Sequence, residues 1–529
     1  MNHTTYDMLF KNLKIVDGTG APAYYGNIGV RDGLLADIGP TKWSSPREID
    51  CQGLIAVPGF IDIHNHSDVG IFQFPQAKNF TSQGVTTLVV GNCGMSAAPF
   101  NESSSLIGIS RENLNCNPAR WETFAAYMAD LEKLKKAVNL ATYVGHNNLR
   151  SIVIGIKDKK ASPSEMDQMR KLVKEAMEAG AFGLSSGLIY DPGIYADTNE
   201  LIDLCKTVAD YGGIYSTHMR NESDLLIDSV MEAIAIGRNS GARVEISHIK
   251  TSGKRNFGLA KTVLDLMEYY RRFGVEVTGD TYPCIFGHTG LQNCFPAWTR
   301  AAGPHGFLEI LKSSPKKNQI KYELARPSVA WENILLDAGF DGTIISGTSK
   351  FPEFEGKSIT EISRILKKDP YETIFNLIAD DLDIAVLVGG LGPEDMEYAL
   401  THDLCMVCSD AAVLEFGQGM CHPRNYRAFT KVLAKYVRQE KLLTMEQAIR
   451  KMSCLPAWKL GLGDRGLLKP GMRADMAIFD PWALNYTSDY GDPHHYSAGM
   501  AYVLVNGRPV ISEGKFTDEM PGLVLRKSG

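Results

Sequence analysis

Long apolar runs are missing from this 529-residue chain: none approaches the roughly 18 consecutive apolar residues that a membrane-spanning helix needs. A membrane partner is therefore not expected. The opening segment, Met1 through Leu13, also lacks the basic stretch and long apolar run of a secretory leader, so a cytoplasmic protein is expected. Cysteine is sparse. Ten residues, scattered from Cys51 to Cys454 and including Cys116, are too few for a disulfide framework at this size and suit a reducing compartment. Nor is there an excess of one charge: 55 basic against 61 acidic residues leave a net −6, without long like-charge blocks. No nucleic-acid partner is expected. What remains is globular material, 44% hydrophobic and 22% charged, enough to bury a large core and incompatible with wholesale disorder.

The two ends of the chain read alike. From Asp7 to about Pro58, short apolar runs such as Leu13 to Val16 and Leu34 to Ile38 are broken by Asp-Gly and other glycine-containing turns, a hairpin pattern. The same texture returns after Gly466, in Asp475 to Asp480 and Val503 to Val510. Residues 1–58 and 466–529 are expected to pair into one small β-sandwich domain.

Between them, helical periods alternate with short β-branched runs. Ser162-Pro163-Ser164-Glu165 is a capping box with proline at the first helical position, and its helix runs on to Glu178 before Gly180. Eight strand-like runs occur: Phe60 to His66, Thr86 to Val90, Leu140 to Val144, Phe182 to Ser185, Ile214 to His218, Val244 to His248, Val275 to Thr281 and Leu404 to Ser409. That is the number a TIM-like (β/α)8 barrel requires, here over residues 59–465. Ile384 to Val388 also reads as a strand, which leaves the count open. The gap from Tyr282 to Asp383 exceeds any barrel loop and suggests an insertion over 283–383, a lid before the last barrel strand. Lys312 to Lys317 reads as a solvated lysine-rich loop.

The sharpest local signal is Pro58-Gly59-Phe60-Ile61-Asp62-Ile63-His64-Asn65-His66. At strand period two, His64 and His66 point to one side at the carboxyl end of a run, the active-site face of a barrel. A lone His-x-His is more often a chance pair near a strand end than a metal site. Recurrence sharpens it: His218 and His248 close later runs, Asp410 follows another, and Cys93 stands just past Val89-Val90. Imidazole, thiolate and carboxylate together favour zinc over calcium or magnesium. Cys405 and Cys408, three apart on a strand, face opposite sides and do not read as a redox pair.

PGFIDIHNHSD, GNCG, SSGLIYDPG, STHMRNES, EISHIKTSG and the SD…CHPRNY region from Ser409 to Tyr426 resemble the N-acyl-D-amino acid deacylases of the amidohydrolase superfamily over nearly the whole chain. The resemblance implies zinc-dependent hydrolysis of the amide of an N-acyl-D-amino acid. Many amidohydrolases use a carboxylated lysine on the fourth strand, yet Phe182 to Leu188 contains none, and in the family it resembles a cysteine takes that role. The implied site has one tightly held zinc on Cys93, His218 and His248, with a second position at His64 and His66, and Asp410 as general base. Arg424 and Lys250, the latter on the strand face of His248, match positions that bind the substrate carboxylate; Tyr190 and Tyr282 are candidate hydrogen-bond donors. Arg427 stands where the family carries a small residue, and Cys284 where a second aromatic often follows Tyr-Pro. The missing lysine argues against a cyclic-amide hydrolase resembling dihydroorotases or hydantoinases, and the full ligand set against a scaffold that has lost catalysis. The preferred side chain, acyl group and oligomeric state stay open.

Overall fold

The computed structural model describes residues 6–40, 44–101 and 121–527, so Cys116 and the first five residues lie outside the described chain. Both chain ends enter one nine-stranded sheet. Met8–Ile15, Tyr24–Arg31 and Leu34–Gly39 form an antiparallel meander, and Glu48–Asp50 and Ile55–Pro58 lie parallel to the first of these. Met476–Phe479, Met500–Val505, Arg508–Ser512 and Lys515–Phe516 continue the sheet, joined where Val57 faces Ala477 in an antiparallel pair. Two hairpins are closed by residues that accept positive φ, Asp32 (53°) with Gly33 (77°) and Asn506 (48°) with Gly507 (80°). Such turns match the right-handed twist of their strands. The sheet bends over on itself: the Phe10 and Tyr502 rings, on strands separated by two others, meet at 5.5 Å in an apolar cluster with Leu13, Ile28 and Leu504.

The middle of the chain is mixed α/β. Phe60–Asp62, Val85–Val90, Asn139–Thr142 with its continuation Val144–Gly145, Gly183–Gly187, Ile214–His218, Arg243–Ile246, Val277–Thr281 and Cys405–Val407 follow one another in chain order. Each recorded pairing between them is parallel. A bridge between Asn65 and Ala411, and a 3.0 Å bond from the Asp410 N–H to the His64 carbonyl, bring the last run beside the first. The intervening helices Pro163–Glu178, Thr198–Asp210, Leu226–Ser240 and Leu259–Arg272 bury Val173, Leu204, Val230 and Leu264 in one core with Leu184, Tyr215 and Val244. Each such side chain contributes about 1.5–3 kcal/mol through burial. The capping box forms as expected: Glu165 accepts from the Ser162 N–H at 2.8 Å while its own N–H donates to Ser162 Oγ at 3.4 Å.

Ile384 to Val388 does contain a strand, Ala385–Val388, but it lies in a separate antiparallel sheet between Gly287–Gly290 and Thr343–Gly347. Lys312 to Lys317 is not a loop. It is the junction of helices Gly303–Lys312 and Ser314–Leu324, the second begun by Pro315 in its first turn. This unit has its own core of Leu291, Phe295, Phe307, Phe375 and Val386, and the same cluster contains Cys93, Ile189 and Tyr190. The segment after Tyr282 thus rests directly on the ends of the parallel runs. Among the described residues no helix is long and apolar enough to cross a membrane, and nine cysteines are free of disulfides.

Candidate active site

Side chains from the carboxyl ends of five parallel runs converge at one end of the α/β layer, where such sheets place their sites. Cys93 Sγ lies 3.3 Å from His64 Nε2, 3.6 Å from His218 Nδ1 and 3.6 Å from His248 Nε2. Asp410 Oδ1 lies 3.1 Å from His66 Nε2 and 3.5 Å from His64 Nε2. The donor atoms form two groups, Cys93 with His218 and His248, and Cys93 with His64, His66 and Asp410, the atoms of each within 4.8 Å of one another. Cys93 belongs to both. Only His218 of the four histidines lies within its strand. His64, His66 and His248 lie in the turns that follow, and the two members of His-x-His still reach the same carboxylate.

The backbone at these residues is constrained. Cys93, His248 and Asp410 hold φ values of 53°, 37° and 50°. The left-handed region costs a non-glycine residue about 1–3 kcal/mol and persists where the surroundings impose it, most often at functional sites. Around Cys93 the imposing neighbours are glycines. A Cβ on Gly187 would sit 2.1 Å from the Cys93 carbonyl oxygen, and one on Gly94 would sit 2.1 Å from Asn147 Oδ1. The GNCG and SSGL segments therefore pack backbone against backbone behind the thiol.

Burial alone would raise the Cys93 thiol, but the charge of His64 and the contacts of His218, His248 and His64 hold it well below the usual thiol range. A thiolate results. Burial would likewise raise Asp410, yet the Arg424 charge and the His66 hydrogen bond hold it well below the ordinary carboxylate value. His64 Nδ1 and His218 Nε2 are buried without a hydrogen-bond partner among the described residues. A buried thiolate ringed by imidazoles, with a carboxylate beside it, is a donor set suited to a metal ion and costly to bury without one.

The remaining sequence candidates gather on the same side. Arg424 Nη1 donates to Asp410 Oδ2 at 2.7 Å, its Nε is unpartnered among the described residues, and its guanidinium carbon lies 4.7 Å from the Tyr282 ring. Lys250 is not on a strand, because Arg243–Ile246 ends before it. Its side chain nevertheless reaches back, Nζ lying 2.7 Å from His248 Nδ1. The Tyr282 hydroxyl is buried and unpartnered among the described residues. The Tyr190 ring lies 5.0 Å from that of His218.

Two acids went unassigned from the sequence. Glu222 accepts from Lys250 Nζ at 2.8 Å and lies 2.9 Å from His248 Nδ1 and 3.7 Å from His218 Nε2. Asp280 accepts from the His248 N–H at 2.7 Å, and its other oxygen lies 3.6 Å from His64 Nδ1. Carboxylates behind histidines orient the rings and raise their basicity. Asp280 had a usable signal, since it is the penultimate residue of a parallel run, and Glu222, four residues past His218, lies within the STHMRNES segment.

Residues 47–233 and 417–511 match the amidohydrolase family. The chain is 32% identical to a D-aminoacylase of Alcaligenes xylosoxydans xylosoxydans, over 99% of this chain and 98% of that protein. The chain belongs to the amidohydrolase family. This amidohydrolase is also 32% identical to an N-acyl-D-aspartate deacylase of the same organism, over 98% of this chain and 95% of the relative. The crystal structure of an N-acyl-D-glutamate deacylase from Bordetella bronchiseptica, complexed with zinc and a phosphonate inhibitor that mimics the tetrahedral intermediate, matches it with a TM-score of 0.83. That match has 31% identity and covers 99% of this chain and all of the other. Family and relatives together make the protein a hydrolase of amide bonds.

Proposed function

We propose that this amidohydrolase is a zinc-dependent N-acyl-D-amino acid deacylase, releasing a carboxylate and a free D-amino acid. The observation that carries the reading is the convergence of Cys93, His218, His248, His64, His66 and Asp410 in two donor groups that share Cys93, with Arg424 and Lys250 at their edge. The names of its relatives supply the D-amino acid substrate class. The eight parallel runs are read as a (β/α)8 barrel over residues 59–465, the nine-stranded sheet as the β-sandwich domain of residues 1–58 and 466–529, and residues 283–383 as the lid.

One zinc ion would be held by Cys93, His218 and His248, and His64, His66 and Asp410 offer a second position. Mixed thiolate and imidazole donors favour zinc over oxygen-seeking cations. Zinc so held supplies Lewis acidity, polarising an amide carbonyl and making a water molecule more acidic. Asp410, ionised at neutral pH, accepts the proton of the attacking water and returns it to the leaving nitrogen. Glu222 and Asp280 keep the imidazoles oriented. Arg424 and Lys250 receive the α-carboxylate, and Tyr282 and Tyr190 donate to the carboxylate or to the developing oxyanion. With the carboxylate fixed, the amide of one enantiomer alone falls beside Asp410, which is the physical source of D preference. The substrate is a small molecule.

Turnover of matched N-acetyl-D- and N-acetyl-L-amino acids, in hydrophobic, basic and acidic pairs, on protein of measured zinc content tests the reading. Cleavage of D forms alone is expected. Cleavage of L forms equally well, or of neither by zinc-loaded protein, overturns it.

A further inference from the structure

The wall behind Arg424 is built by the other end of the chain. Between strands Met476–Phe479 and Met500–Val505, the segment around Tyr490 folds against residues 422–427. Ser488 Oγ donates to the Pro493 carbonyl at 2.7 Å and lies 3.4 Å from the Pro423 carbonyl, Ser497 Oγ donates to the Tyr426 carbonyl at 2.8 Å, and the Tyr426 hydroxyl lies 2.9 Å from His494 Nδ1. Arg427 donates to the Ser488 carbonyl, and its guanidinium carbon lies 5.7 Å from the Tyr486 ring and 5.2 Å from the Tyr490 ring. The cation lies against both aromatic rings, an arrangement that favours a fixed ring position.

Tyr490 passes this order inward. Its ring lies 4.7 Å from that of Phe286 and 5.4 Å from that of His422. His422 is held in one tautomer: Nε2 donates to the Phe286 carbonyl at 3.0 Å, and Nδ1 accepts from the Arg424 N–H at 3.0 Å. The far side of His422 meets the Tyr282 ring at 6.4 Å, and Tyr282 in turn faces the Arg424 guanidinium. The Tyr282 hydroxyl is buried and unpartnered among the described residues, and the buried Tyr490 hydroxyl faces Cys284. A continuous packed chain thus runs from Arg427 through Tyr490 and His422 to Tyr282 and Arg424.

We propose that Tyr490, braced by Arg427, is a positioning residue for the substrate's carboxylate: it fixes His422 and thereby the Arg424–Tyr282 pair. The inference rests on the deacylase reading for what Arg424 binds. The ring, rather than the hydroxyl, makes the contacts that matter here. Loss of the ring lets His422 and the Arg424 backbone relax, and a guanidinium displaced by a fraction of an ångström no longer meets the carboxylate squarely.

The test compares Tyr490→Ala, Tyr490→Phe and Arg427→Met on an N-acyl-D-amino acid and on its α-amide, which lacks the carboxylate charge. For Tyr490→Ala, KM for the free acid is expected to rise about tenfold or more beyond any change on the amide, while any loss of kcat, which reaches Asp410 through its contact with Arg424, falls alike on both substrates. Tyr490→Phe should restore the wild-type KM, and Arg427→Met should fall between. An unchanged KM in Tyr490→Ala, or equal losses on acid and amide, overturns the proposal; should that variant not fold, Arg427→Met decides on the same criterion. A crystal structure of Tyr490→Ala, or of Arg427→Met in its place, separates the two readings. Displaced His422 and Arg424 side chains support positioning even where the wild type cleaves no N-acyl-D-amino acid, and side chains held in place refute it.

Discussion

Asp410 and Arg424 form a buried pair at the edge of the metal-ligand cluster, Arg424 Nη1 donating to Asp410 Oδ2 at 2.7 Å while Asp410 Oδ1 faces His66 at 3.1 Å. One oxygen is occupied by a fixed cation and the other faces His66 and His64. The cation keeps the carboxylate ionised, as the proposed role of proton acceptor requires, and the backbone there is left-handed at φ 50°.

Asp410→Asn keeps the shape and removes the basicity. Turnover is expected to fall about 10²–10⁴-fold, the range for losing a general base. Zinc held by Cys93, His218 and His248 should stay close to wild-type stoichiometry by elemental analysis. Activity near wild type in the Asn variant would remove Asp410 from the proton transfer.

Cys93→Ala affects both donor groups, since the thiol belongs to each. Zinc per protein is expected to drop sharply after dialysis against a weak chelator, and cobalt-substituted protein should lose its sulfur-to-metal absorption band. Unchanged stoichiometry would reduce the thiol to packing between Gly187 and the histidines.

Arg424→Ala removes one charged partner of the proposed α-carboxylate and also frees Asp410. The second effect reaches every substrate, so the informative quantity is the ratio of kcat/KM for an N-acyl-D-amino acid to that for its α-amide. A charged hydrogen bond is worth about 1.5–3 kcal/mol, so the ratio should fall about tenfold to a hundredfold. A ratio that stays put would assign Arg424 to Asp410 alone.

Much of this was legible before any coordinates. The parallel runs stood out because each is a short β-branched stretch bounded by helical text, although Ile384 to Val388 left their number open, and the candidate ligands because they stand at or just past the ends of those runs. The environment of the ligands was less visible. Asp280 and Glu222 act through distances set by tertiary packing, and Glu222 reaches His248 from a different turn altogether. Arg427 and Cys284 could be marked as departures from the family pattern, yet nothing in their local sequence says that Arg427 stacks on Tyr490 or that the Tyr490 phenol is influenced by Cys284. That segment lies about sixty residues beyond Arg427, between two strands of the chain-end sheet, and contacts of such separation leave no periodic trace.

Glu200, outside the candidate ligand set, offers a stability test with a defined sign. It sits in the first turn of helix Thr198–Asp210, its carboxylate 2.8 Å from His146 Nε2 and 2.5 Å from Arg150 Nη1, and Arg150 is fully buried. Burial would raise the acid, but the His146 hydrogen bond and the Arg150 charge outweigh it and hold Glu200 below its ordinary value of 4.5. A depressed carboxylate contributes stability that is present in full above the unfolded value and is lost as pH falls through the folded one. Glu200→Gln leaves Arg150 buried without its charge partner, a change that costs about 3–5 kcal/mol. The variant should therefore melt well below wild type at pH 7, and the gap between the two should narrow as the pH drops below 4.5, where Glu200 of the unfolded wild type takes up a proton that the folded acid still resists, until the folded acid is protonated too. Denaturant melts of both proteins from pH 7 downward measure that gap directly. A gap that stays constant into acid would mean the loss comes from packing around Arg150 and not from the charge of Glu200.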